Sequence, residues 1–287
     1  MARISPTTYK VVTGVAFASL CTIVVTGALV RLTGSGLGCE DWPRCSQSKF
    51  IDVTPGHTFI EQANRLFTGV VSFSVIAAVL LAHLTSPKRR DLIWLSWSLV
   101  IGVLAQIIIG GIVVLTGLNP YANMAHFLVS LLLITGSFLL MRRASNSETV
   151  PMFRVMPMRI SAVVKALIIM VSCTLVTGTV VTATGPHAGD EDAVRFGFEL
   201  SHVVRIHSVS MLITLSIVIY LLVVSRRNAY AVIAEPMQTL LFATLLQAVI
   251  GYTQYFTEVP ATLVAAHIVG ALFFFVASLN IIVHPNS

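Results

Sequence analysis

Three groups of residues in this chain have types and spacings suited to chemistry. In the first, the phrases Gln106-Ile-Ile-Ile-Gly110 and Gln247-Ala-Val-Ile-Gly251 are each followed, at the same distance, by an Ala-His pair ending in His126 and His267, while His202 and His207 lie between them. An imidazole in or near hydrocarbon is costly unless it hydrogen-bonds or ligates. One reading is a set of interfacial histidines bonded to neighbouring helices. The other is a cofactor site built from side chains on facing helices, where one histidine from each of two helices suits bis-imidazole ligation of a heme iron. The second group is Ile60-Glu-Gln-Ala-Asn-Arg-Leu66, which places Glu61, Asn64 and Arg65 at i, i+3 and i+4 on one helical face. Glu61 is the main candidate for proton transfer, against the plainer reading of a local ion pair with Arg65. The third is Gly38-Cys-Glu-Asp-Trp-Pro-Arg-Cys45, where Cys39 and Cys45 close into a disulfide if the segment faces an oxidising compartment. A zinc site is the competing reading, but no second ligand cluster lies nearby.

The elements that position these groups are membrane helices. Hydrophobic residues make up 56% of the 287 and charged residues 10%, and the mean hydropathy is +0.88, which leaves too little polar surface to coat a soluble domain of this size. Apolar runs near 11–31, 66–84, 92–115, 122–141, 160–184, 206–224, 237–256 and 260–283 each approach the ~20 residues that cross a bilayer. Lipid satisfies no backbone group, so each run is expected to be a helix. The first run begins late and lacks a small-residue cleavage site, so it reads as a retained span rather than a signal peptide. Arg3, Lys10, Lys88, Arg89, Arg90, Arg142, Arg143, Arg154, Arg159, Arg226 and Arg227 gather in the N-terminal tail and alternate loops, and Glu40, Asp41, Asp52, Asp190, Glu191 and Asp192 in the opposite ones. This predicts cytoplasmic N- and C-termini. The net charge of +6 is then a topology signal, and nucleic-acid binding is excluded because no basic patch is interleaved with exposed aromatics.

The chain is also doubled. Val25-Thr-Gly-Ala-Leu-Val-Arg-Leu-Thr-Gly34 returns as Val176-Thr-Gly-Thr-Val-Val-Thr-Ala-Thr-Gly185. The expected fold is an all-α integral membrane protein with eight transmembrane helices, arranged as two parallel, pseudo-symmetric four-helix bundles over residues 1–150 and 151–287. The polar 142–159 segment is the linker. Cys21 and Cys173 read as small core residues. His57 and His187 fall in outer loops where they would line a site mouth, and His83 and His284 read as solvated or interfacial. His202 and His207 point about 140° apart at 100° per residue, so only one of them faces the bundle centre. Spacing does not say which.

Taken together, Thr26-Gly-Ala-Leu-Val-Arg-Leu-Thr-Gly-Ser-Gly-Leu-Gly-Cys39 with Asp41-Trp-Pro43, the Glu61…Asn64-Arg65 motif, His126, Thr184-Gly-Pro-His-Ala-Gly-Asp190, Arg205-Ile-His207 and His267 resemble the heme A synthase family over nearly the whole chain. The resemblance implies a bacterial plasma-membrane oxidoreductase that oxidises a methyl group of heme O to a formyl group by successive hydroxylations, giving heme A for cytochrome oxidase. It implies a C-terminal bundle that holds heme B through His207 and His267, with His202 the alternative, and an N-terminal bundle that takes heme O as substrate near His126, Asn64 and Arg65, its iron on His126 alone, on His126 with a weak or water-borne contact through Asn64, or on another residue such as His57. Glu61 matches the family's essential acidic residue, and Cys39 and Cys45 its outer cysteine pair. Water is the implied oxygen source, heme B the route for electrons, and heme O synthase, a protoheme farnesyltransferase, a candidate donor of substrate. A homo-oligomer is compatible with all of this. The chain departs from the family where many members carry histidine three residues after the glutamate. Here Asn64 stands, and an amide is a poor iron ligand.

Two rival readings predict different patterns. A heme-carrying, quinone-linked electron-transfer protein of the cytochrome b type predicts equal ligand sets in both halves, which Asn64 breaks. A transporter predicts ionisable residues at the membrane midplane and broken helices, whereas the polar residues here gather at one end.

Overall fold

The computed structural model describes residues 4–145, 149–150, 156–227, 231–282 and 284–285. It is all-helical apart from a two-residue antiparallel pairing of β1 (Thr149–Val150) with β2 (His284–Pro285). The helices are α1 (Pro6–Leu32), α2 (His57–Leu84), α3 (Arg90–Leu115), α4 (Pro120–Ser145), α5 (Met158–Thr184), α6 (Leu200–Arg227), α7 (Ala231–Phe256) and α8 (Ala261–Ile282). Among the described residues, eight helices are long and apolar enough to cross a membrane. This is a multi-pass helical membrane protein.

Several helices extend beyond their apolar runs. The second starts at His57 rather than near 66, and the sixth at Leu200 rather than near 206. The extra turns carry polar residues that find partners, inside the fold on α2 and at the surface on α6, so they need no hydrocarbon to be helical. At the start of α1, Pro6 sits just inside the helix and the Ser5 hydroxyl accepts from the Thr8 amide. The α3–α4 connection turns through Gly117 and Leu118, with φ of 62° and 61°.

Two compact units result. The first contains α1–α4 together with residues His187–Arg195, and the second contains α5–α8. In the first, the helices pack in a closed ring, α1 on α2, α2 on α3, α3 on α4 and α4 on α1. The second repeats that ring with α5 to α8. Small hydroxyls join the first two helices of each ring: Ser19 Oγ and Ser74 Oγ are 3.0 Å apart, Thr174 Oγ1 and Thr214 Oγ1 3.1 Å. Large apolar side chains such as Phe73, Trp94, Ile101, Phe242 and Val249 point outward, as expected where the surrounding medium is lipid. Cys173 belongs with them. It is exposed on its helix, and only Cys21 is partly covered, because a lipid-facing position suits a small apolar thiol as well as a core position does.

Candidate functional site

Each helix of a ring contributes one residue at a similar depth. In the second unit Gly178 on α5, His207 on α6, Gly251 on α7 and His267 on α8 lie five to seven residues from the same end of the bundle, roughly 9 Å in at 1.5 Å per residue. The two glycines seat the two rings. A Cβ added to Gly178 would stand 3.1 Å from His207 Cε1, and one added to Gly251 would stand 3.1 Å from His267 Cε1. The rings meet across the interior with centroids 6.3 Å apart and planes 77° apart.

His207 is held in one tautomer by its neighbour. The Thr177 hydroxyl lies 3.2 Å from His207 Nδ1, and its single proton is drawn to the Cys173 and Thr174 carbonyl oxygens at 2.9 and 3.0 Å. Nδ1 must then carry the hydrogen and donate, which leaves the Nε2 lone pair free to ligate. His202 has no such role in the interior. Its side chain is 64% exposed and pairs at 3.4 Å with Glu199, whose carboxyl is held below its usual value by the Ser201 hydroxyl and His202.

The first unit repeats the arrangement with one change. Gly110 on α3 seats His126 of α4, a Cβ there standing 3.4 Å from Cε1. Gln106 Nε2 donates to the His126 carbonyl oxygen at 3.0 Å, as Gln247 Nε2 does to that of His267 at 3.0 Å. In both units the buried Nδ1 of the histidine has no hydrogen-bond partner. On the remaining seat, Thr26 and Gly27 of α1 receive Asn64 of α2: Thr26 Oγ1 donates to Asn64 Oδ1 at 2.8 Å, and Gly27 faces the amide nitrogen. Asn64 therefore stands in the first unit where His207 stands in the second.

Glu61 and Arg65 turn toward the outer loop. Arg65 Nε and Nη2 donate to Glu61 Oε1 at 2.9 and 2.5 Å, and the Cys39 amide donates to Oε2 at 2.7 Å. Arg65 also reaches the carbonyl oxygens of Cys39, Asp41 and Arg44. This is more than a local ion pair, since one guanidinium ties α2 to the loop that the disulfide Cys39–Cys45 closes. Gly38 lets that loop lie directly on the His57 backbone, and Gly111 lets the Trp42 ring lie on α3. Glu61 is the one buried carboxylate among the described residues.

The other histidines have modest settings. His57 opens α2, with Nδ1 2.9 Å from Ser35 Oγ. The His187 carbonyl oxygen accepts from Arg31 Nε at 2.6 Å, and His83 Nε2 accepts from Trp97 Nε1 at 3.3 Å. The side chain of His284 lies outside the described residues. Sequence spacing did not reveal the seats themselves, although Thr26-Gly27, Thr177-Gly178, Gln106…Gly110 and Gln247…Gly251 all belong to the repeated phrases.

A ring of four membrane helices, used twice, with two histidines facing each other in one copy and a histidine and an asparagine on the matching seats of the other, defines a class of duplicated membrane protein. Within that class the chain belongs to the cytochrome oxidase assembly protein family (COX15-CtaA), which matches residues 10–57 and 50–279. It is similar to the heme A synthase of Geobacillus kaustophilus (strain HTA426), 36% identical over 121 residues covering 42% of this chain and 38% of the relative. It is also similar to the heme A synthase of Bacillus pumilus (strain SAFR-032), 36% identical over 132 residues covering 44% and 43%, and to that of Listeria welshimeri, 35% identical over 113 residues covering 38% and 37%. The chain spans less than half the length of each of these relatives.

Proposed function

We propose that this protein is an oxidoreductase that converts heme O to heme A, turning one porphyrin methyl group into a formyl group for use in cytochrome oxidase. The observation that carries the reading is the facing pair His207 and His267. Two ring nitrogens each about 2.0 Å from one metal stand about 4 Å apart, and their centroids then lie about 6 Å apart, close to the 6.3 Å found. Nδ1 of His267 and of His126 has no hydrogen-bond partner among the described residues, so neither ring is committed to a neighbouring side chain.

In this reading His207 and His267 of the second unit would hold a resident heme B, with Thr177 fixing the ring of His207. A heme held by these two histidines would supply a one-electron acceptor, tuned by the residues that hold it. The first unit would take heme O beside His126 and Asn64. Net conversion of methyl to formyl takes one water and releases four protons and four electrons, so a proton acceptor is needed near the substrate. Glu61 is assigned that role, with Arg65 orienting its carboxylate. The site end of each bundle faces away from the cytoplasm, in accord with the basic residues at the other end, in a bacterial plasma membrane.

Expression in cells with and without a supply of heme O, followed by pigment extraction and chromatography, tests the proposal. Heme A is expected only in the supplied cells. Bound heme with no heme A in either culture would instead support an electron-transfer protein and end the synthase reading.

A further inference from the structure

The two seats for α2 and α6 are built alike but filled differently. Thr177 and Gly178 position an imidazole, His207, whose Nε2 lone pair is free, whereas Thr26 and Gly27 position an amide, Asn64, in the same way. The seats across the ring are filled alike, His126 on Gly110 with Gln106, and His267 on Gly251 with Gln247. The second unit therefore offers an iron two imidazoles and the first offers one. Asn64 does not make up the difference. Its Oδ1 is a far weaker donor to iron than an imidazole nitrogen and is turned to the Thr26 hydroxyl, from which it accepts at 2.8 Å, and its Nδ2 is a hydrogen-bond donor without an available lone pair.

We infer that the first unit holds the iron of its porphyrin substrate through His126 alone, and that Asn64 keeps the opposite axial position open to an exchangeable small ligand. This rests on the reading that the first unit accepts an iron porphyrin. It goes further by assigning the ligation that separates a site for a visiting porphyrin from a site for a resident one. Single-imidazole iron exchanges more readily than bis-imidazole iron, so Asn64 favours release of product where His207 favours retention.

The test uses full-length protein in detergent, loaded with protoheme, reduced and exposed to carbon monoxide, which binds only iron with an open axial position. The expected wild-type result is one low-spin heme that ignores carbon monoxide and a second heme that gives a carbon monoxide difference spectrum. His126→Ala should abolish that second spectrum and keep the low-spin heme. Asn64→Ala should keep the carbon monoxide spectrum, because the amide is not a ligand, and Asn64→His should replace it with a second low-spin heme. A His126-dependent heme that is low-spin and unreactive in the wild type overturns the inference, as does loss of that heme in Asn64→Ala. Those outcomes leave heme binding by the first unit intact. Absence of any His126-dependent heme in folded protein overturns the underlying reading as well.

Discussion

The His207 and His267 rings stand 6.3 Å apart, each backed by a glycine so close that an added methyl would lie 3.1 Å from the ring. Gly178→Ala and Gly251→Ala therefore set two effects against each other. Alanine favours a helix over glycine by about 1 kcal/mol, so the heme-free protein should melt at an unchanged or higher temperature. The ring, however, must swing off its preferred rotamer at about 0.5–1.5 kcal/mol, which lowers heme affinity by up to roughly tenfold. Gly69→Ala, where an added Cβ meets nothing within 4 Å, is the control. Heme titration and thermal melts of the three variants check this, and unchanged heme affinity in both seat variants would show the seats to be incidental.

Those glycines also explain what was readable from sequence. Thr-Gly and Gln…Gly stand out as repeats, and in both copies they are the residues that lie against the inward side chain of the neighbouring helix. The eight helices were legible from hydropathy alone, since lipid demands long apolar runs. Their starts were not, because Glu61 and Arg65 on α2 and His202 on α6 are polar residues in helical turns beyond the apolar stretch. Spacing left His202 and His207 equivalent. Only the position of α5, with Thr177 and Gly178 against α6, distinguishes them, and that is a tertiary fact. The placement of residues His187–Arg195 with the first unit had no periodic signal at all.

Arg65 joins Glu61 to three carbonyl oxygens of the outer loop. Arg65→Met leaves a buried carboxylate facing only backbone amides of the outer loop, Cys39 among them, and removing one partner of a buried pair costs about 3–5 kcal/mol. The double variant Glu61→Gln/Arg65→Met should recover part of that loss in a thermal melt. Glu61→Gln alone keeps an oxygen for the Cys39 amide, so it is expected to fold and to bind heme at His207 and His267 yet to form no heme A. Full heme A production by Glu61→Gln would remove Glu61 from the chemistry and leave it as a loop anchor.

The Cys39–Cys45 bridge closes a loop with a sequence separation of 6, and both cysteines are buried. Closing so short a loop stabilises by about 2 kcal/mol on the chain-entropy account. Replacing both cysteines with serine should lower the melting temperature and weaken the hold of Arg65 on the loop, so that adding Arg65→Met in this background costs less than in the wild type. A double-mutant cycle on melting temperatures measures the difference. Strict additivity would mean that the bridge and the guanidinium act on separate parts of the loop.

Residues 187–195 lie over the end of the first unit through two backbone contacts and one apolar cluster. The Gly36 amide donates to the Gly189 carbonyl oxygen at 2.8 Å, Arg31 Nε donates to the His187 carbonyl oxygen at 2.6 Å, and Ala188 and Ala193 are buried with Val113 and Leu118. Gly189 holds a φ of +103°, and a Cβ there would stand 3.0 Å from Leu118 Cδ1. Gly189→Ala thus meets both backbone strain, about 1–2 kcal/mol for a left-handed residue, and a contact with a side chain that is itself buried. Gly56→Ala, at a φ of +111° with nothing near its Cβ, introduces backbone strain of the same kind away from this segment and serves as the control. When opening is fast relative to cleavage, proteolysis follows the open population, so trypsin should cut after Arg195 on the order of tenfold faster in Gly189→Ala than in the wild type. Gly56→Ala should leave that cleavage unchanged, because it perturbs a different loop. Equal cleavage rates in Gly189→Ala and the wild type would show that the segment is not held by the Gly36–Gly189 contact.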